Sequence, residues 1–381
     1  TTQSTTTQST TTQSTTAQST TMAPSAEVVP RSSQTFVRDA LAELPVEIRS
    51  AAVDSDQFGA VRLSATSFDL AAHDAGIGAP ADASSVDDGF ERFKVVANWR
   101  SVEQGGNGYA LLDEFGFPPK EALGAHAEVE DELGFGTLRV RSTASTAAGG
   151  TFFSVLRGDL PIASSLDEFT PGVFSTGDWP DGDFNMSQVT AARPFGRTLH
   201  LAERSDETGE PLLGVGQLGP LVERWHAEET GVLGDVEEYA LVARILDEEF
   251  ATSAVMVEDD FSAASSFDPA RLEEVGVPIS EQFSLLGFGT SLQDRHASST
   301  VVYIFEDSDA AERALDQVRT AWTTAGSALF PGPVGERFEI GSVDRDDRAV
   351  VVDVSVDDDH VANRAYGLYL QGDVMFFHST S

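Results

Sequence analysis

The stretch DWPDGDFNMS at 178–187 holds the sharpest chemical pattern in the chain, since Asp181, Asp183 and Asn185 follow the alternate spacing with which a loop collects oxygen ligands for calcium. An EF-hand loop would next need a sharp-turn glycine and, at its last position, a bidentate glutamate. Met186 and Ala192 stand there instead, so that reading fails and only a looser calcium site is left. The same stretch contains Asn185-Met186-Ser187, the one glycosylation sequon of the sequence, and Asn185 is its candidate acceptor.

Other clusters are weaker. The acidic runs at 258–260 (EDD), 344–347 (DRDD) and 357–360 (DDDH) have the oxygen chemistry of a hard-cation or acid–base site, but in a chain with 62 Asp and Glu they read first as solvated turns. The histidines His73, His126, His200, His226, His296, His360 and His378 are scattered, and none forms HExxH or a helical pair. His226-Ala227-Glu228-Glu229 reads as an exposed helix face. There is no GxSxG elbow and no phosphate-binding GxxxxGK[ST] loop. Trp99, between Asn98 and Arg100, reads as core rather than as a ligand platform. No catalytic residue, metal site or cofactor is assigned.

Composition narrows the setting. With 24 Lys plus Arg the formal net charge is -38, which repels nucleic acid and anionic lipid surfaces. The only lysines are Lys94 and Lys120, so arginine carries nearly all positive charge. Dense carboxylates with an arginine bias fit a protein of molar salt, where a Debye length of about 3 Å screens the self-repulsion. The chain has no cysteine, which excludes disulfides and thiolate chemistry, and it has no apolar run of 18 residues that would span a bilayer.

The elements that must position any site come in three parts. Residues 1–33 open as repeated TTQST and contain too little apolar surface to offset the entropy of ordering, so a disordered stalk is expected, open to O-glycosylation. Two α+β repeats should follow at 34–216 and 217–381. Three colinear matches motivate them: 64–80 with 262–278, LGFGT at 133–137 with LGFGT at 286–290, and 154–169 with 303–318. The first copy carries an insertion near 81–132 with Lys94, Arg100 and His126.

Within the repeat, 235–250 reads as a helix with an Asp235/Glu238 capping box and a stripe of Val236, Tyr239, Val242, Leu246 and Phe250. ATSAVMVE and STVVYIFE read as strands, and 307–322 as a second helix with Ala311, Ala314, Leu315, Val318 and Trp322 inward. Pro161 is placed to start a helix in the first copy. LGFGT, in a strand-like setting in both copies, reads as a bend or bulge. ERFEIGSV, DRAVVVDVSV, NRAYGLYL and DVMFFHS read as short antiparallel strands. Two tandem copies of a unit with helices packed on one face of a mostly antiparallel sheet is the expected fold.

The matched segments VLRGDLPIASSLDEF and YIFEDSDAAERALDQV, the two-copy plan, the acidity and the TTQST stalk together resemble exported haloarchaeal surface proteins, lipoproteins especially, whose function is uncharacterised. The resemblance implies an extracellular, envelope-anchored protein with a lipidated cysteine upstream of Thr1 and a surface-protein or self-association partner. A non-catalytic binding or structural role is the leading expectation. An extracellular hydrolase with its site in 81–132, using Lys94, Arg100 or His126, and a protomer of a surface filament or layer are the alternatives.

Overall fold

Runs of Val, Ile, Phe, Ser and Thr bounded by Gly, Pro and Asp favour pleated, half-buried backbone, and such runs fill the molecule. The computed structural model describes residues 35–53, 60–74, 126–136, 139–177, 190, 196–263, 276–293, 296–355 and 364–379. Residues 1–33 and most of 81–132 lie outside that range. The strands are β1 (Val61–Ser67), β2 (Val140–Ala148), β3 (Thr151–Gly158), β4 (Asp167–Thr170), β5 (Val173–Ser175) and β6 (His200–Ser205), then β7 (Pro211–Gly216), β8 (Ser253–Glu258), β9 (Phe283–Gln293), β10 (His296–Phe305), β11 (Glu339–Asp346) and β12 (Ala349–Ser355). All join one antiparallel sheet in the order β11-β12-β10-β9-β8-β1-β2-β3-β7-β6-β5-β4. The protein is α+β with one large antiparallel sheet.

That order has an internal regularity. From the centre outward one half runs β1-β2-β3-β7-β6 and the other β8-β9-β10-β12-β11, and β1 meets β8 antiparallel with Ser64 opposite Val255. Each half therefore places its fifth strand inside its fourth. The β4–β5 hairpin extends only the first half.

Eight helices are described: α1 (Phe36–Leu41), α2 (Ile48–Val53), α3 (Phe68–Asp74), α4 (His126–Leu133), α5 (Gly219–His226), α6 (Glu237–Glu248), α7 (Ser308–Thr323) and α8 (Arg364–Leu370). They cover both faces of the sheet, not one as the sequence suggests. On the first face α1, α5 and α6 bury Leu41, Trp225, Val242 and Leu246 against Leu63, Val155, Met256 and Val302. On the second, α7 and α8 bury Val318, Trp322 and Tyr366 against Phe288, Val301 and Val352, while α3 and α4 cover Leu156, Leu201 and Val215. Strands such as β8, with consecutive residues buried, have no solvent face to leave bare.

Several elements depart from their sequence patterns. α7 forms as expected, with Asp307 accepting the Ala310 N–H at 2.7 Å. α6 keeps its stripe but not its capping box: Asp235 ends a 3-10 turn, Leu233–Asp235, and Val236 precedes the helix without a side-chain cap. Phe250 leaves the helix at φ +57. Pro161 starts no helix, because the segment after β3 stays extended, donates the Ala163 N–H to the Leu133 carbonyl at 2.8 Å and runs into the β4–β5 hairpin.

NRAYGLYL forms α8 rather than a strand. Its Ala365, Tyr366, Leu368 and Tyr369 make a helical stripe against the aromatic cluster of Phe288 and Phe376. DVMFFHS makes a 3-10 turn, Val374–Phe376, because fully buried Asp373 accepts from the Val374 N–H at 2.8 Å and the Ala328 N–H at 3.0 Å.

The two LGFGT segments differ in structure. The first ends α4, with Gly134 at φ +94 in a space where a Cβ would lie 2.5 Å from the Ala163 nitrogen. The second lies inside β9, where Gly287 and Gly289 let α6 approach: a Cβ would meet Val242 at 2.4 Å and Leu246 at 2.7 Å. One motif thus stops a helix, and the other seats one on the sheet. Neither is a bulge.

Candidate functional site

The acidic runs do not converge. Glu258 is held by Arg49 through Nε at 3.0 Å and Nη2 at 2.7 Å and accepts the Tyr239 hydroxyl at 2.9 Å. Burial, then the Glu258 charge, push the Tyr239 hydroxyl up, so it remains a donor. Asp259 and Asp260 accept backbone N–H groups of their own turn. In 344–347, Asp346 pairs with Arg244 of α6 at 2.8 Å and Arg345 with Glu312 of α7 at 2.9 Å. Among the described residues no three His, Asp or Glu side chains converge on a metal position. Asp181, Asp183, Asn185, Ala192, Lys94, Arg100 and the 357–360 run lie outside the described residues, and His126 begins α4.

Two polar centres lie within the fold instead. On the second face, at the junction of the halves, the register aligns Ser154, Ser145 and Ser64 on one rung and Thr143, Thr66, Ser253, Thr290 and Ser299 on the next. All are buried; Ser145 donates to Ser154 at 2.9 Å, and Thr66 and Ser253 lie 3.1 Å apart. A one-residue slip of β1 would turn Leu63 and Ala65 into this seam and its hydroxyls into the first-face core, so the seam fixes register.

The second centre is ionic. Arg204 pairs with Glu43, donates to the Trp225 carbonyl at 3.1 Å and lies 4.2 Å over the Trp225 ring. Trp225 in turn donates to the Glu43 carbonyl at 2.9 Å. Arg157 pairs with Asp206 and approaches Glu43 at 3.7 Å. Burial works against charge on Asp206, but hydrogen bonds from Arg157, Thr208 and the Glu210 backbone outweigh it and bring the carboxyl down to about 2.

A folded value below the unfolded one, about 3.9, means that the stabilisation is present above pH 4 and is lost as pH falls toward 2. Asp206→Asn should therefore cost about 1–2 kcal/mol at pH 7, allowing for solvent at the rim of the site, and almost nothing near pH 2. Urea titrations of both proteins at fixed salt across that range would check it; a difference independent of pH would refute the charge assignment.

Among the described residues there is an open cleft of about 510 Å³ lined by Pro161, Ile162, Gly172, Phe174, Glu203 and His226. On β6, β5 pairs with His200–Ala202, starting with Val173 opposite Ala202, and one residue farther along β6 the Glu203 carbonyl accepts the Nδ1–H of His226 at 2.8 Å. A carbonyl can only accept, which places the proton on Nδ1 and the lone pair of the neutral ring on Nε2. Gly172, at φ +80 in the β4–β5 turn, makes room for that nitrogen: a Cβ there would stand 2.6 Å from Nε2.

The Gly172 N–H donates to Glu168 at 3.1 Å, which holds the turn. Pro161, Ile162 and Phe174 supply an apolar wall, and the exposed Glu203 side chain supplies negative charge. Sequence reading took His226 as part of an exposed helix face. The structure makes it the half-buried C-terminal residue of α5, and no local spacing joins it to residues 172 and 203.

No family model matches the chain, and no curated protein matches it. Among solved structures it is similar to TP0453 in its crystal form I, at 9% identity and a TM-score of 0.32 over 84% of this chain and 96% of that one. Among the described residues no helix is long and apolar enough to cross a membrane.

Proposed function

We propose that this chain is a non-catalytic binding or structural module of a halophile's cell surface, carried on the Thr/Ser/Gln segment 1–33 as a glycosylated tether behind an envelope anchor. We further infer that its body is two copies of one α+β unit meeting near Gly216. The shared strand order of the two half-sheets supports the duplication. The start of the third sequence match supports it too, since 154–158 and 303–305 fall on the corresponding strands β3 and β10.

The setting is supported by where the arginines go. Arg38, Arg49, Arg157, Arg204, Arg244 and Arg348 each face a carboxylate within the fold. These cations are thus matched to carboxylates, and the carboxylate surplus is left without counter-charge, as molar salt permits. The observation that carries the binding role is the cleft between the β4–β5 hairpin and the end of α5, whose size suits a small ligand. Fractionation and mass spectrometry of the native protein should find it in the envelope with hexose on residues 1–33. A cytosolic, unmodified chain would overturn the surface reading.

A further inference from the structure

We propose that the cleft at Pro161, Ile162, Phe174, Glu203 and His226 binds a small organic cation with an apolar body, such as a quaternary ammonium compound. The proposal rests on the binding role above and names its ligand class. Three features of the cleft define the class. Its wall of Pro161, Ile162 and Phe174 rewards removal of apolar surface from water, which a hydrated metal ion cannot offer. The Phe174 ring adds an aromatic π system suited to a weakly hydrated cation. The exposed Glu203 carboxylate, near the end of β6, has no ion-pair partner among the described residues, although nearby Glu43, Asp206 and Glu210 all face arginines.

Competing ligands fare worse. An anion must approach a chain of net charge -38 and then meet Glu203. Sodium and calcium seek six or more oxygens, and the side chains lining this cleft supply one carboxylate. Sodium in molar excess therefore screens the exterior without filling an apolar-walled site. His226 completes the cleft as a positioning residue: anchored through Nδ1 to the Glu203 carbonyl, it fixes the β6 backbone that carries the carboxylate.

The test uses the full chain in about 3 M NaCl, a concentration at which long-range attraction is screened, with phenyltrimethylammonium as probe and benzyl alcohol and benzoate as neutral and anionic counterparts. Ligand-observed NMR titration should show saturable binding of the cation, weakened about three- to tenfold by Glu203→Gln and by Phe174→Ala. Neither counterpart should bind comparably. Unchanged far-UV CD would confirm that each variant folds, and Glu203→Gln, conservative and at an exposed position, keeps the test decisive if Phe174→Ala does not.

Cation binding indifferent to both substitutions would mean counterion association with the acidic exterior and would overturn the proposal. Phe174-dependent binding of benzyl alcohol or benzoate at least as tight as the cation would overturn the ligand class while leaving the binding role standing. If none of the three binds, both the class and the cleft's binding role fall.

Discussion

Dilution from about 3 M to about 0.1 M NaCl is expected to unfold this protein, seen as loss of far-UV CD signal and recovered on restoring salt. Over that range the Debye length grows from under 3 Å to about 10 Å, enough for neighbouring surface carboxylates to repel one another. Arginines that could offset this are already paired with carboxylates, as Arg38 is with Asp247 at 2.9 Å and Arg244 with Asp346 at 2.8 Å. Screening depends on ionic strength, so KCl should protect as well as NaCl. Retention of the CD signal at low salt would remove the halophile reading.

The second large effect should be almost blind to salt. Glu43→Ala leaves Arg204 beside α5 with only the Trp225 ring and carbonyl for company, and Glu43 is 8% exposed. Breaking a buried pair from one side costs about 3–5 kcal/mol, because the remaining charge is stranded out of water. Replacing both partners by apolar groups of similar volume, Glu43→Leu with Arg204→Met, should return stability to within about 1 kcal/mol of the parent. Denaturant titration at fixed high salt would measure both. A double variant as unstable as the single one would mean that Arg157, 3.7 Å from Glu43, is the dominant partner.

The elements legible in the sequence are those whose periodicity agrees with their packing. The Tyr239/Val242/Leu246 stripe of α6, the Ala311/Ala314/Val318/Trp322 stripe of α7, and strands β8, β10, β11 and β12 all form where the pattern places them. The failures have tertiary causes. Tyr366, Leu368 and Tyr369 satisfy alternation and helical spacing almost equally over a few residues, and the curved aromatic surface around Phe288 selects the helix. LGFGT cannot announce whether its glycines end a helix or admit one. In the cleft, Gly172, Glu203 and His226 meet where the β4–β5 turn precedes Val173, a juxtaposition that no local spacing in the sequence marks.

The central place of β1 bears on how the chain is made. During synthesis Val61–Ser67 can pair with β2 as soon as the first half emerges, but its other edge stays bare until Ser253–Glu258 leaves the ribosome. Until then the nascent half presents an unpaired strand at an open edge, the kind that recruits other nascent chains. Late pairing over so long a loop is also slow. The molecule is therefore most exposed to aggregation halfway through translation, and a chaperone or a pause at that point would guard β1 until β8 arrives to close the sheet.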